Sequence, residues 1–572
     1  MMTKRNLGGQ VSRRALLVGM AGVGALAAVP GLADAATLPD GAVFTHGVAS
    51  GDPDATSLII WTRVTVAAEP DVTWEVAATP DFRRVQRHGK VTAGAERDHT
   101  VKVLVEGLKP GTTYHYRFRV GAAVSPTGRA RTLPVGRLES LGIALVTCSN
   151  YAFGFFNAYD AIAKDPRVDF VLHTGDYIYE YGADQWGASV AHSIGRVHQP
   201  AHEIVSLDDY RQRHAQYKTD AGSRAMHGAH TFLACWDDHE VCNNPWTGGA
   251  DNHQPATEGD WPTRRANAIR AYYEWMPVRD PASGHSPLQF WRNYSFGDLA
   301  LLHTLETRHT ARARQIDFLE YALTLTSAEA AARFRKEVLG APDRRMISTE
   351  LEHDLGKALA ASVEAGQPWR LIGNASLIAR IDVPDLVRTG LLPDPTPKLA
   401  DTSFDALRRA AKEPATVLAW KGQLSLPFYT DPWDGYPWAR ERLYALSREA
   451  GAGDLIFLSG DSHSFWQNRL ADDAGQPAGI EFGTAGVSSP GDFMESGFGP
   501  ELSQKLDRAF ADFNSEVLWT DNMHQGYVLV ELGRQSGSAS FIGVSTVLSP
   551  DYRPELLKRV NFLRGNGSVD FV

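Results

Sequence analysis

The sequence predicts a layered α/β domain with mixed sheets flanked by helices, preceded by a small all-β sandwich. Two observations predict this order. From about Val43 to Thr132, apolar and polar residues alternate in short runs broken by Gly, Pro and Asp, the period-two pattern of half-buried antiparallel strands. After Pro134, short apolar runs alternate with helix-length segments, which predicts parallel pairing through helical crossovers. With 572 residues, 43% hydrophobic content and 14 Trp, the chain has enough apolar surface for a large core, and this excludes a disordered polypeptide.

Residues 1–35 read as an export signal. Lys4, Arg5, Arg13 and Arg14 precede an apolar run from Ala15 to Val29, and Ala33-Asp34-Ala35 supplies a small-x-small cleavage pattern. Ser12-Arg13-Arg14-Ala15-Leu16-Leu17 has the twin-arginine form, so the expected destination is the periplasm or the medium. The apolar run is shorter than the roughly 20 residues that span a bilayer, and no later segment approaches that length.

The sandwich is expected over 40–135, with strands in Ser57–Arg63, Val72–Val76 and Val101–Val105. The run Leu108-x-Pro110-Gly-Thr-Thr-Tyr114-x-Tyr116-Arg-Phe118 resembles the tyrosine-corner strand of fibronectin type III domains, where a Tyr hydroxyl ties back to the main chain. The layered domain is expected over 138–545. Its strands are placed at Leu141–Val146, Asp169–His173, His230–Trp236, Trp369–Ile372, Asp454–Leu458 and Gly526–Leu532. Its helices are placed at Phe156–Lys164, Leu207–Lys218, Pro262–Trp275, Thr349–Glu364 and Tyr436–Ala450. Thr349 with Glu352 has capping-box spacing. Trp186 to Ser206 and Asp382 to Thr402 read as long loops framing a mouth. Residues 546–572 form a C-terminal segment, and a cover over the site is one expectation for it.

Removing the signal takes out four basic residues and Asp34, which moves the formal charge from −10 to −13. So acidic a chain lacks the clustered Lys and Arg that routine nucleic-acid binding needs. The three cysteines, Cys148, Cys235 and Cys242, exclude a disulfide framework. Cys235 and Cys242 read first as packing residues, with a local disulfide as the alternative.

Chemistry collects at the carboxyl ends of parallel strands, where the following loops converge. Four strand ends carry ligand-type residues: Thr147-Cys148-Ser149-Asn150, His173-Thr-Gly175-Asp176-Tyr177-Ile-Tyr179-Glu180, Trp236-Asp237-Asp238-His239-Glu240 and Ser459-Gly460-Asp461-Ser462-His463. One such fragment is an ordinary turn; four in order are a metal centre. Asp176 has two oxygens with which to bridge two cations, and Tyr179, three positions on, can return to the same metal. A thiolate from Cys148 and a phenolate from Tyr179 favour ferric iron over zinc, with His463 completing that set. Asp176, Asp238 and Asp461 make an oxygen-rich second position suited to calcium. Two cations so bridged activate water at phosphorus without a protein nucleophile. Ser149 and Ser462 have no Ser-His-Asp partners. His239 is the candidate proton donor or phosphate ligand, against support of a carboxylate as the alternative.

These residues also carry a family resemblance. Phe44-Thr-His-Gly-Val-Ala-Ser-Gly-Asp-Pro53, Trp61-Thr-Arg63, Cys148, Gly175-Asp-Tyr-Ile-Tyr-Glu180, Trp236-Asp-Asp-His-Glu-Val241 and Trp433-Asp-Gly-Tyr436 resemble the marks of the PhoD alkaline phosphatases, over nearly the whole mature chain. The resemblance implies a metallophosphoesterase-type catalytic domain holding Fe3+ with one or two Ca2+ ions and acting on small phosphomonoesters and phosphodiesters outside the cytoplasm. It adds Asn243 or Asn244 as a calcium ligand, Asn374 as a site residue and Arg308 as a phosphate contact. Glu306, Ala375 and Ser462 depart from the family pattern, where Asp, Gln and Val are usual, which touches substrate preference rather than catalytic class. The alternative within the same architecture is a phospholipase D-like enzyme acting on lipid headgroups, with Trp433, Trp438 and Trp466 receiving the apolar part. A cell-surface binding protein with structural metals is the reading from another class.

Overall fold

The computed structural model of the chain describes residues 43–65, 69–395, 413–565 and 568–572. The expected export signal and the end of the expected 382–402 loop lie outside them.

Two sheets stack face to face. The first has ten strands, in the order Ser568–Phe571, Pro554–Gly565, Ser536–Val544, Gly526–Gly533, Ser140–Val146, Phe170–His173, Thr231–Ala234, Val48–Gly51, Leu58–Arg63 and Thr100–Val105. The second has seven, in the order Asn293–Phe296, Ala300–Thr304, Trp369–Asn374, Leu455–Ser459, Pro477–Gly483, Phe465–Ala471 and Val517–Asp521. Each has a parallel centre. Ser140–Val146, Phe170–His173 and Thr231–Ala234 run together in one, and Ala300–Thr304, Trp369–Asn374, Leu455–Ser459 and Pro477–Gly483 in the other.

Alternation along these strands builds three cores. Ile143 and Leu145 point between the sheets, where they meet Leu302, Leu371, Ile456 and Leu458 of the facing sheet. Ala144 and Val146 point the other way, onto the helices Asn157–Lys164, Leu207–Lys218 and Trp261–Trp275. Ile372 and Phe457 turn outward onto the helices Thr349–Glu364, Pro437–Glu449 and Gly499–Phe513. Strands buried on both faces read as continuous apolar runs, and each fully buried aliphatic side chain contributes about 1.5–3 kcal/mol.

The β-sandwich shares the first sheet. Val48–Gly51 pairs parallel with Thr231–Ala234, with Ser50 opposite Thr231 and Gly51 opposite Phe232. Its second layer, from Val85–Thr92, Asp71–Ala77, Thr113–Val120, Ala123–Val124 and Gly128–Arg131, closes over a core of Val72, Tyr114, Tyr116 and Phe118. This junction removes an open sheet edge with unpaired main-chain groups. The tyrosine corner is present, with Lys109 N donating to the Tyr114 hydroxyl at 2.8 Å.

Three local expectations differ. The cap of the helix Thr349–Glu364 is Ser348, whose Oγ accepts from Leu351 N at 3.2 Å, so Thr349 is already inside the first turn. The stretch Trp186–Ser206 contains a helix, Ala188–Ile194, set between left-handed Gly187 and Gly195. At the C terminus, Pro554–Gly565 and Ser568–Phe571 are edge strands of the ten-stranded sheet, and none of the described residues of 546–572 lines the site cavity described next.

Candidate metal centre

The four ligand-bearing loops follow the carboxyl ends of the strands Ser140–Val146, Phe170–His173, Thr231–Ala234 and Leu455–Ser459. Three lie in the first sheet and one in the second, so face-to-face stacking is what brings Asp461 and His463 to the others. Thr147 and Gly486 bridge the two sheets at this edge.

The backbone there is unusual. Cys148, Asp176, Asp461 and His463 have φ of 56°, 59°, 67° and 53°. The left-handed region costs a residue with a β-carbon about 1–3 kcal/mol and persists only where the surroundings enforce it. The glycines before the two aspartates are obligatory: a Cβ on Gly175 would lie 2.3 Å from Asp237 Cβ, and one on Gly460 would lie 2.5 Å from the hydroxyls of Thr147 and Thr174.

The side chains converge in two sets that share Asp176. Ligand atoms of Cys148, Asp176 and His463 lie within 4.8 Å of one another. Cys148 Sγ is 3.3 Å from Asp176 Oδ2, and the Tyr179 hydroxyl is 3.1 Å from the same oxygen and 3.3 Å from His463 Nε2. His463 Nδ1 lies 3.1 Å from Pro490 O, which assigns the proton to Nδ1 and leaves the Nε2 lone pair facing the cluster. On the other side, oxygens of Asp176, Asp237, Asp238 and Asp461 also lie within 4.8 Å.

This second set is a concentration of acids, three of them buried and Asp461 half-buried. Burial raises Asp176 well above the carboxylate range, and Asp238 adds to it. Burial and then Asp431 push Asp461 up to about 7. Burial would raise Asp238 too, but the adjacent His239 and Arg308 hold it below the usual range. On the first side, burial and then the Asp176 carboxylate raise both the Cys148 thiol and the Tyr179 phenol. Asp237 Oδ2 and Asp238 Oδ1 are buried and take no hydrogen bond. Two orphaned oxygens within a set of four carboxylates, beside a thiol, a phenol and an imidazole, are the donor complement of a cation site.

The cavity above this floor is about 420 Å3. Asp238, His239, Asn243, Asp461 and His463 line its polar part, and Leu377, Ile381, Phe428 and Trp466 an apolar wall. His239 Nδ1 pairs with Glu180 Oε2 at 2.6 Å, and its Nε2 is 3.7 Å from Asp238 Oδ2. Trp186 roofs the site, its ring stacked 5.9 Å from His463 and 6.3 Å from His239, with the indole N–H bonded to Glu495 across the mouth.

The structure separates the remaining expected site residues. Asn243 reaches the cavity wall, its N–H bonded to Glu180 Oε1 at 2.8 Å, and Asn244 N donates to Asp238 Oδ2 at 2.9 Å. Arg308 lies behind the carboxylates rather than on the wall: Nε binds Asp237 Oδ1, Nη1 lies 2.8 Å from both Asp431 oxygens, and Nη2 is 3.7 Å from Asp238 Oδ1. Asn374 is not at the cavity. Its amide is used by Ser376 O, by Ser459 Oγ at 3.3 Å and by Trp433 Nε1 at 3.2 Å. Of the three tryptophans expected near the mouth, Trp466 alone lines it; Trp433 and Trp438 pack into the outer core. Of the departing residues, Ser462 faces the cavity, whereas Glu306 accepts the N–H groups of Arg308, His309 and Thr310 at 2.7–2.9 Å and so folds the loop that carries Arg308. Cys235 and Cys242 are buried free thiols.

Sequence reasoning missed Asp237, Asp431 and Trp186. The doubled Asp237-Asp238 was a signal for the first. Nothing local marks Asp431 or Trp186, whose partners lie 119 and 309 positions away.

The chain is similar to known proteins over most of its length. Residues 143–541 match the PhoD-like phosphatase family and residues 31–134 the PhoD-like phosphatase N-terminal domain. Alkaline phosphatase D of Bacillus subtilis (strain 168) is 30% identical over 534 residues, covering 89% of this chain and 81% of that protein. A solved structure of PhoD superposes with a TM-score of 0.72 at 26% identity, over 93% of this chain and 92% of that one.

Proposed function

The chain belongs to the PhoD-like phosphatase family and is a phosphoric ester hydrolase, and from that premise we propose an exported phosphatase and phosphodiesterase whose centre pairs ferric iron with calcium. Cys148, Tyr179, His463 and one oxygen of Asp176 would hold the iron. Asp176, Asp238 and Asp461, with Asn243 and the free oxygen of Asp237, would hold the calcium side. The observation that carries this reading is the division of donors about Asp176, thiol, phenol and imidazole on one side and carboxylates on the other. When bound, the two cations supply Lewis acidity for a water and for phosphoryl oxygens.

The chain's own groups do the rest. His239 has its Nδ1 fixed by Glu180, so its Nε2 faces the cavity and is placed to give a proton to a leaving alcohol. Arg308 offsets charge on Asp237 and Asp238 from behind and holds the Asp237 carboxylate in place. Trp186 excludes water from above. Export rests on the twin-arginine pattern Ser12-Arg13-Arg14; replacing both arginines with lysine should strand the protein in the cytoplasm, and unchanged export would remove that part of the proposal.

The test compares turnover of an aryl phosphomonoester, a bis-aryl phosphodiester and phosphatidylcholine by protein whose metals have been measured. Hydrolysis of the first two by an iron- and calcium-bearing enzyme supports the proposal; two zinc ions would overturn the metal assignment. The apolar wall of Leu377, Ile381, Phe428 and Trp466 favours a second reading, cleavage of lipid headgroups. Rapid lipid cleavage with negligible aryl ester cleavage would select it.

A further inference from the structure

The two ligand motifs both end in glutamate, Gly175-Asp-Tyr-Ile-Tyr-Glu180 and Trp236-Asp-Asp-His-Glu240, and neither glutamate is used in the scheme above beyond the contact to His239. Both side chains are essentially fully buried. Each reaches across to the other motif. Glu240 Oε1 accepts Tyr177 N at 2.6 Å, and its Oε2 accepts Asp176 N at 3.1 Å together with Asp237 N at 2.7 Å. Glu180 Oε2 takes His239 Nδ1 at 2.6 Å, and its Oε1 takes Asn243 N at 2.8 Å and Asn252 Nδ2 at 2.7 Å. Three donors on each carboxylate leave neither glutamate free to bind a cation or a substrate.

Asp176 needs such a hold. Its φ of 59° places it in a region that relaxes unless its peptide groups are pinned, and Glu240 takes the N–H on each side of its α-carbon. The same carboxylate takes Asp237 N, so the spacing between the two acid-bearing loops is set through one group. We propose that Glu180 and Glu240 form a reciprocal clasp of positioning residues, Glu240 fixing Asp176 and Asp237 and Glu180 fixing His239 and Asn243. This rests on the metal-centre reading above. It assigns them different reach: Glu240 governs both cations, because Asp176 is shared, whereas Glu180 governs the carboxylate side and His239.

Glutamine discriminates because it is isosteric but turns one oxygen into a donor, which must then face a backbone N–H at Glu240 or the imidazole at Glu180. The full chain is purified as wild type, Glu240→Gln, Glu180→Gln and Glu516→Gln, and iron and calcium are measured after dialysis against graded EDTA. Glu516 is the control, a mostly buried glutamate accepting Arg380 N at 2.9 Å away from the metal loops. Glu240→Gln should release both metals at roughly 10–100-fold lower chelator than wild type. Glu180→Gln should release calcium early, hold iron as wild type does, and shift the pH profile of kcat through His239; Glu516→Gln should follow wild type. Wild-type release by both motif variants overturns the clasp, and equal early release by Glu516→Gln overturns it as general destabilisation. A wild type that retains no metal overturns the centre itself. If Glu240→Gln does not fold, the Glu180→Gln pattern decides alone.

Discussion

The β-sandwich and the catalytic edge sit on one sheet and treat acidic residues in opposite ways. In the sandwich the half-buried acids sit beside arginines: Glu75 bonds Arg117 at 2.6 Å and Arg119 at 3.2 Å, and Asp98 bonds Arg63 at 2.8 Å. Burial would raise Glu75, but those arginines together hold it below the usual range. At the catalytic edge Asp176, Asp237, Asp238 and Asp461 crowd together, offset among the described residues by Arg308 and His239, and burial drives Asp176, Asp237 and Asp461 upward. The first region is stable as it stands. The second is an arrangement whose cost is met by ions from outside.

The most severe way to break that contrast is Asp176→Asn. It should lower kcat/KM by at least about 10²–10³-fold, the usual loss of one preorganised electrostatic group, while the metal-free variant melts no lower than metal-free wild type because a repelling charge is gone. Calorimetry beside steady-state kinetics checks both halves, and a folded Asp176→Asn with wild-type turnover would refute the site. Arg308→Ala removes the one guanidinium behind the acids, and breaking a buried pair from one side costs about 3–5 kcal/mol, read in denaturant unfolding. Stripping metal from wild type should lower Tm by an amount equivalent to about 2.7 kcal/mol for ions held at a hundred times Kd, with no such drop in Asp176→Asn. At the small end, Glu75→Gln in the sandwich should cost about 1 kcal/mol, as a solvent-screened pair does, and leave kcat/KM unchanged; a large loss there would erase the distinction between the two regions.

Much of this was legible in the residues. Runs such as 141–146 and 455–458 are apolar throughout because they are covered on both faces, and the candidate ligand residues follow shortly after such strands. Helices such as Leu207–Lys218 were legible as helix-length segments between the strands, whereas the Ser206 cap that starts this one was not read. Local pattern was silent where partners are remote. Asn374 was named as a site residue, yet its neighbours Ser376, Ser459 and Trp433 consume its amide. Trp186 lay in a stretch read as loop, and its place over His463 comes from the turn at Gly187 and the bond to Glu495.

The sequence by itself determined the two kinds of element, their order and the chemical identity of the donors, because periodicity, turn residues and ligand type are properties of neighbours in the chain. Tertiary structure decided that two sheets would stack so that Asp461 and His463 meet Cys148, Asp176 and Tyr179. It also decided that four candidate ligands would sit in left-handed backbone and that the sandwich would extend the catalytic sheet. Those outcomes depend on packing between residues hundreds of positions apart, where the energy of many buried contacts outweighs the preference of any single residue.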